Sequence, residues 1–200
     1  NTAPTAGSIS CNPKCGDWTN QTVTVTLSGA TDAGSGISGY KYSYDDKNYY
    51  SPERGNATQA TPYWPGDTNK TVYFRVYDGL GNYTYMGSKA VKVDKTLPTL
   101  SLNSNPSDTS KLGLLVSDTN KSNAVNVNYY VSLSDNDFAN FKAKATVATD
   151  GYNIIRMAGS GTYYIYVDVT NIKDLAGNVV SFNSSTDQDE VVGSYKVRRI

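Results

Sequence analysis

The 200 residues carry 18 basic and 18 acidic side chains, so the formal net charge is zero, and there is no histidine. Charge balance excludes a nucleic-acid binder, which needs a basic excess to displace counterions from phosphates. The missing imidazole excludes Ser-His-Asp and Cys-His catalysis, His-ligated zinc and histidine acid–base chemistry near neutral pH.

The chain opens on Thr2-Ala3-Pro4-Thr5, in which Pro4 biases its neighbour to extended geometry. Cys11-Asn12-Pro13-Lys14-Cys15 then sets two thiols astride an Asn-Pro turn, where folding back brings the Cα atoms within the ~4.4–6.8 Å of a disulfide. Two cysteines make neither a disulfide framework nor a metal site. We expect Cys11 and Cys15 to be joined if the protein is exported, with free thiols as the alternative. Trp18 is expected in the core at the start of its strand. From Gln21 to Leu27 the sequence alternates, Val23, Val25 and Leu27 against Thr22, Thr24 and Thr26, which predicts a half-buried strand.

Tyr40, Tyr42 and Tyr44 repeat that period, as do Val72, Phe74 and Val76, then Val91 and Val93. Turn clusters separate them at Thr31 to Gly36, at Pro65-Gly66-Asp67 and at Asp78-Gly79-Leu80-Gly81-Asn82. Tyr49, Tyr50, Tyr63 and Trp64 crowd positions flanking loops, and exposed rings there are candidates for stacking on sugars or anchoring a protein partner. The plainer reading packs some of them into the core. Val93-Asp94-Lys95-Thr96-Leu97-Pro98 forms a short join that predicts a stiff hinge.

The second half runs through the same order. Thr96-Leu97-Pro98-Thr99 answers the opening, and Asn105-Pro106 answers Asn12-Pro13, with Ser104 and Asp108 where the cysteines stood. Asp118 answers Asp32, Val131-Ser132-Leu133 answers Tyr42-Ser43-Tyr44, and Thr162 to Asp168 answers Thr71 to Asp78. Asp174 to Asn178 repeats the Asp-x-x-Gly-Asn turn. The spacing drifts while the order holds, as loop insertions on a fixed scaffold would make it. Between Asp137 and Thr149, Phe138 and Phe141 sit at helical spacing, but Phe141, Ala143, Ala145 and Val147 alternate and favour strand. The prediction is all-β: two tandem immunoglobulin-like antiparallel β-sandwich domains, residues 1–95 and a more divergent 96–200.

Several motifs resemble those of the bacterial immunoglobulin-like repeats of large cell-surface and secreted proteins. They are Trp18 to Val25, Asp32-Ala33-Gly34-Ser35-Gly36-Ile37, Asp78 to Asn82 and Val93 to Pro98, in family order. The second half lacks the Trp and the Ser-Gly-Ile loop but keeps Asp174-Leu175-Ala176-Gly177-Asn178, and Tyr195-Lys196-Val197 matches Val91-Lys92-Val93. The resemblance implies an extracellular, surface-attached protein of which this is one stretch. It implies a non-catalytic stalk, spacer or adhesion module, whose partners are neighbouring repeats and an unknown protein or glycan. A carbohydrate-binding accessory module of an exported enzyme is the alternative.

The remaining constellations read as structural. No apolar run approaches the roughly 18–20 residues of a membrane span, and no cofactor is implied. The turns at Asp78 and Asp174 lack the regular ligand spacing and distant Glu of a calcium hand, so no metal is expected there. Asp187, Asp189 and Glu190 form an acidic cluster expected to be a solvated loop, a weak calcium site being the lesser reading. Among 18 acidic residues some pair always falls close, and no motif marks one as a glycosidase pair. An intramolecular Lys–Asn amide would need a buried carboxylate such as Glu53, Glu190 or an Asp beside it.

Overall fold

Period-two alternation, β-branched residues and Gly- or Asp-rich turns make strands of every regular element that the computed structural model describes. The described residues are 2–104, 111–118, 127–132, 143–145, 152–156, 164–168, 173–179, 181–182, 189–192 and 195–199, with side chains at 2–99, 118 and 173–179. Two units divide the chain, Asn1–Lys95 and Thr96–Ile200.

The first unit contains β1 (Ser8–Asn12), β2 (Val23–Ser28), β3 (Ile37–Ser43), β4 (Gln59–Ala60), β5 (Tyr63–Trp64), β6 (Thr68–Asp78) and β7 (Tyr83–Val93). In one sheet β2 pairs with β1 on one side and with β4 and β5 on the other; the second sheet runs β3-β6-β7. All these pairs are antiparallel. Val23, Val25, Leu27, Ala60 and Trp64 from the first sheet and Tyr40, Val72, Phe74, Val76, Val91 and Val93 from the second form one buried cluster. The two sheets therefore face each other as a sandwich.

The path between β1 and β2 is not a simple hairpin. After Asn12 the chain crosses to the second sheet, where the Gly16 N–H donates to the Ala90 carbonyl at 2.9 Å and Thr19 pairs with Val93 in parallel. It returns to the first sheet at Val23. Cys11 and Cys15 are bonded across the start of this crossing, with Cα atoms 5.6 Å apart. Closing so small a loop restricts the unfolded chain little, about 2 kcal/mol. A Cys11→Ser/Cys15→Ser variant is expected to lose no more than that in urea unfolding and to keep its strands. A variant that failed to fold would make the link indispensable instead.

Burial corrects two expectations. Trp18 is half-buried and lies outside the core cluster, because residue 18 rides along the edge of β7 before β2 begins. The core tryptophan is Trp64, 6 % exposed. The inward series of β3 also stops early: Tyr40 is buried, Tyr42 half-buried and Tyr44 exposed, while Ser43 is fully buried.

The second unit contains β8 (Thr99–Ser104), β9 (Lys111–Ser117), β10 (Val127–Ser132), β11 (Ala143–Ala145), β12 (Tyr152–Arg156), β13 (Tyr164–Asp168), β14 (Ser181–Phe182), β15 (Asp189–Val192) and β16 (Tyr195–Arg199). Its sheets run β12-β9-β8-β14 and β11-β10-β13-β16-β15. Only β14 with β8 is parallel among these pairs. The β8–β9 pair and the β10-β13-β16 order repeat β1–β2 and β3-β6-β7. Of the ambiguous stretch, Ala143–Ala145 is strand; Phe138 and Phe141 lie outside the described residues.

Candidate functional site

The outward side chains of β6 alternate with its buried valines and phenylalanine, which puts Tyr73, Arg75 and Tyr77 on the outer face of the second sheet. Register brings Lys41, Arg75 and Tyr85 into one row across the three strands, and Gly39, Tyr77 and Tyr83 into the next. The Tyr77 and Tyr83 rings lie 5.5 Å apart. The Arg75 guanidinium sits between Tyr49 and Tyr83, 4.0 and 4.3 Å from their centroids, and the Lys41 ammonium stands 4.7 Å above Tyr77.

The 44–50 loop frames this face. The Asp45 carboxylate accepts from the Lys47 and Asn48 N–H groups at 2.9 and 2.8 Å and from the Ser43 hydroxyl at 2.8 Å. Asp46 takes a left-handed backbone, φ 57°, and its carboxylate meets Arg75 at 3.1 Å and accepts the Tyr49 hydroxyl proton. Desolvation, with that hydrogen bond, raises the Tyr49 hydroxyl pKa.

The four aromatic residues singled out by sequence do not form one patch. Tyr49 belongs to the outer face. Tyr50 and Trp64 both pack on Tyr42, with centroids 6.2 and 6.0 Å away, at one end of the sandwich. There the Trp64 indole N–H donates to the Tyr44 hydroxyl at 2.9 Å, and the Lys70 ammonium stands 4.5 Å above the Tyr44 ring. Tyr63 is elsewhere, under the Arg54 guanidinium at 4.4 Å. Buried as it is, Trp64 offers no ring face to a ligand; Tyr50, 53 % exposed, does. Arg75, Tyr77, Tyr83 and Tyr85 were missed. For Arg75 and Tyr77 the signal was their outward phase against Val72, Phe74 and Val76; Tyr83 and Tyr85, on β7, join them only through register.

The two Asp-x-x-Gly-Asn turns are built alike. Asp78 Oδ1 accepts from the Leu80 and Asn82 N–H groups at 2.9 and 2.8 Å, and Oδ2 from the Asn82 amide at 2.7 Å. Asp174 repeats the last two bonds with Asn178 at 2.8 and 2.7 Å, and the Asn178 amide also donates to the Thr96 carbonyl. Gly81 and Gly177 supply positive φ, 86° and 90°, as each turn requires. Beside the first turn, Thr2, Gly34, Ser35, Asp78 and Leu80 line an open cavity of about 270 Å³. In the second unit Asp118 and Asp174 are both buried, with carboxylate oxygens within 4.8 Å of each other. Oxygen donors of this kind suit a hard divalent cation. Asp189 and Glu190 fall in β15, and their side chains lie outside the described residues.

The Asn82 side-chain amide holds the Asp78 carboxyl below the usual carboxylate range, and the Asn48 and Lys47 N–H groups do the same for Asp45. A depressed folded-state pKa contributes stability that is fully present above the unfolded value, about 3.9, and is lost as pH falls through the folded one. The urea midpoint is therefore expected to hold between roughly pH 7 and 5 and to fall below about 4. Asp78→Asn should flatten that fall; an equally steep fall in the variant would remove Asp78 as a cause.

No family model and no curated protein matches the chain. Among solved structures it is similar to fibronectin(III)-like modules of CbhA from Clostridium thermocellum, at 13% identity and a TM-score of 0.34, over 87% of this chain and 90% of that one. It is also similar to a chain of a cytokine receptor complex, at 13% identity and 0.35, over 96% and 95%. A third likeness is to a human OSCAR ligand-binding domain, at 11% identity and 0.33, over 90% and 95%. Likeness at this level says nothing about ligand or role. No described helix is long and apolar enough to cross a membrane.

Proposed function

We propose that the chain is a non-catalytic segment of two immunoglobulin-like modules from a bacterial cell-surface protein, serving as a spacer or adhesion module. The observation that carries the reading is the twice-built Asp-x-x-Gly-Asn turn, with the same carboxylate–Asn bonds in each unit. One module duplicated with its loops varied extends a chain without assembling an active site. The chemistry of the described residues agrees: rings and cations are paired for contact.

Two measurements test it. Fragments 1–95 and 96–200 should each unfold cooperatively, and protease or biotin labelling of intact cells of the source organism should reach the protein. A fragment 1–95 that is unfolded alone sinks the modular reading, and a protein sealed from the label sinks the surface one.

A further inference from the structure

We propose that the outer face of β3-β6-β7 is a binding platform for a carboxylate-bearing polysaccharide, a uronic-acid polymer, which lies across Tyr77, Tyr83 and Tyr85 beside Lys41 and Arg75. The proposal deepens the adhesion part of the reading above and rests on it. The platform is rigid because register sets its rows and each cation is seated on a ring. Tyr83 and Tyr85 remain 49 and 48 % exposed, and Gly39, with open space where a Cβ would stand, leaves the flank of Tyr77 uncovered.

The chemistry of the face selects its occupant. Its two central rows hold tyrosine, lysine, arginine and glycine and no aliphatic side chain. Tyrosine and arginine also occur in protein interfaces, but the lysine and the lack of any aliphatic side chain favour a polar, hydrated occupant. Tyrosine rings accept the C–H faces of sugars while exposed tyrosine hydroxyls exchange hydrogen bonds with sugar hydroxyls. Charge then separates acidic from neutral sugars. Arg75 is engaged by Asp46, whereas the Lys41 ammonium has no carboxylate within ion-pair distance among the described residues. The face is left with positive charge fixed beside exposed rings, which complements a carboxylate on the sugar.

Electrophoresis of the whole 200-residue chain through gels containing polygalacturonate or neutral hydroxyethylcellulose tests this. Retardation is expected in polygalacturonate alone, weakening as salt rises. Tyr83→Ala/Tyr85→Ala should weaken it about tenfold, two ring contacts of roughly 0.7 kcal/mol each. Lys41→Gln should weaken it and flatten its salt dependence, and decides alone if the double variant does not fold. Four results overturn the proposal: no retardation, equal retardation by the neutral polymer, unchanged retardation in folded variants, or self-association through the same tyrosines in sedimentation. Any of them leaves the spacer reading standing if cell labelling and fragment unfolding succeed.

Discussion

Phe74→Ala should cost the first unit about 3–5 kcal/mol, the range for removing a fully buried phenylalanine ring. Phe74 lies in the middle of β6 opposite Tyr42 and Gly87, with both sheets closing over it. Neither neighbour can fill the space: Gly87 has no side chain, and the Tyr42 ring is held against Tyr44, Tyr50 and Trp64. A loss of that size is comparable to the whole stability of a small domain. Both tryptophans, Trp18 and Trp64, belong to the first unit, so their fluorescence in urea reads that unit alone. A drop below about 1 kcal/mol at unchanged slope would remove Phe74 from the centre of the core.

Gly7→Val should be nearly as damaging, by about 3 kcal/mol, for the opposite reason. Here the penalty is overfilling. A Cβ at residue 7 would stand 2.0 Å from the Ser28 carbonyl oxygen and 2.5 Å from the Ala30 nitrogen. Both are backbone atoms of the segment against which β1 is registered through Ser8 and Ser28, so no rotamer change relieves the clash. The start of β1 and the Thr5–Thr31 bridge beside it must separate. Hydrogen exchange is expected to quicken at Thr5, Thr31 and the β1–β2 amides while β6 and β7 keep their protection. Uniform protection would show that the backbone there has room.

Proteolysis separates the two variants further. Phe74→Ala should raise cleavage across the whole first unit through global unfolding, whereas Gly7→Val should first expose the segment before β1.

The sequence by itself determined where strands of the first unit lie, because alternation of Val and Thr at β2 and of Val72, Phe74 and Val76 at β6 fixes parity along each strand. It also determined the Asp78 and Asp174 turns, since an Asp placed four residues before Asn with Gly between them satisfies its own backbone wherever it occurs. Parity does not say which neighbour covers a side chain. Tyr40, Tyr42 and Tyr44 share a phase, yet their burial falls away because β3 ends at Ser43 and the sandwich ends with it. Two tryptophans of equal hydrophobicity cannot be told apart by local pattern, and Trp18, expected in the core, lies outside it. Only the crossing of residues 13–20 onto the edge of β7 keeps Trp18 out of the core, and only the pairing of β5 with β2 puts Trp64 in it. The outer tyrosine face was illegible for the same reason: Lys41, Arg75 and Tyr85 are far apart along the chain, and their row exists only through the register of three strands. So too for Asp118 and Asp174, whose approach depends on long-range packing that no local spacing encodes.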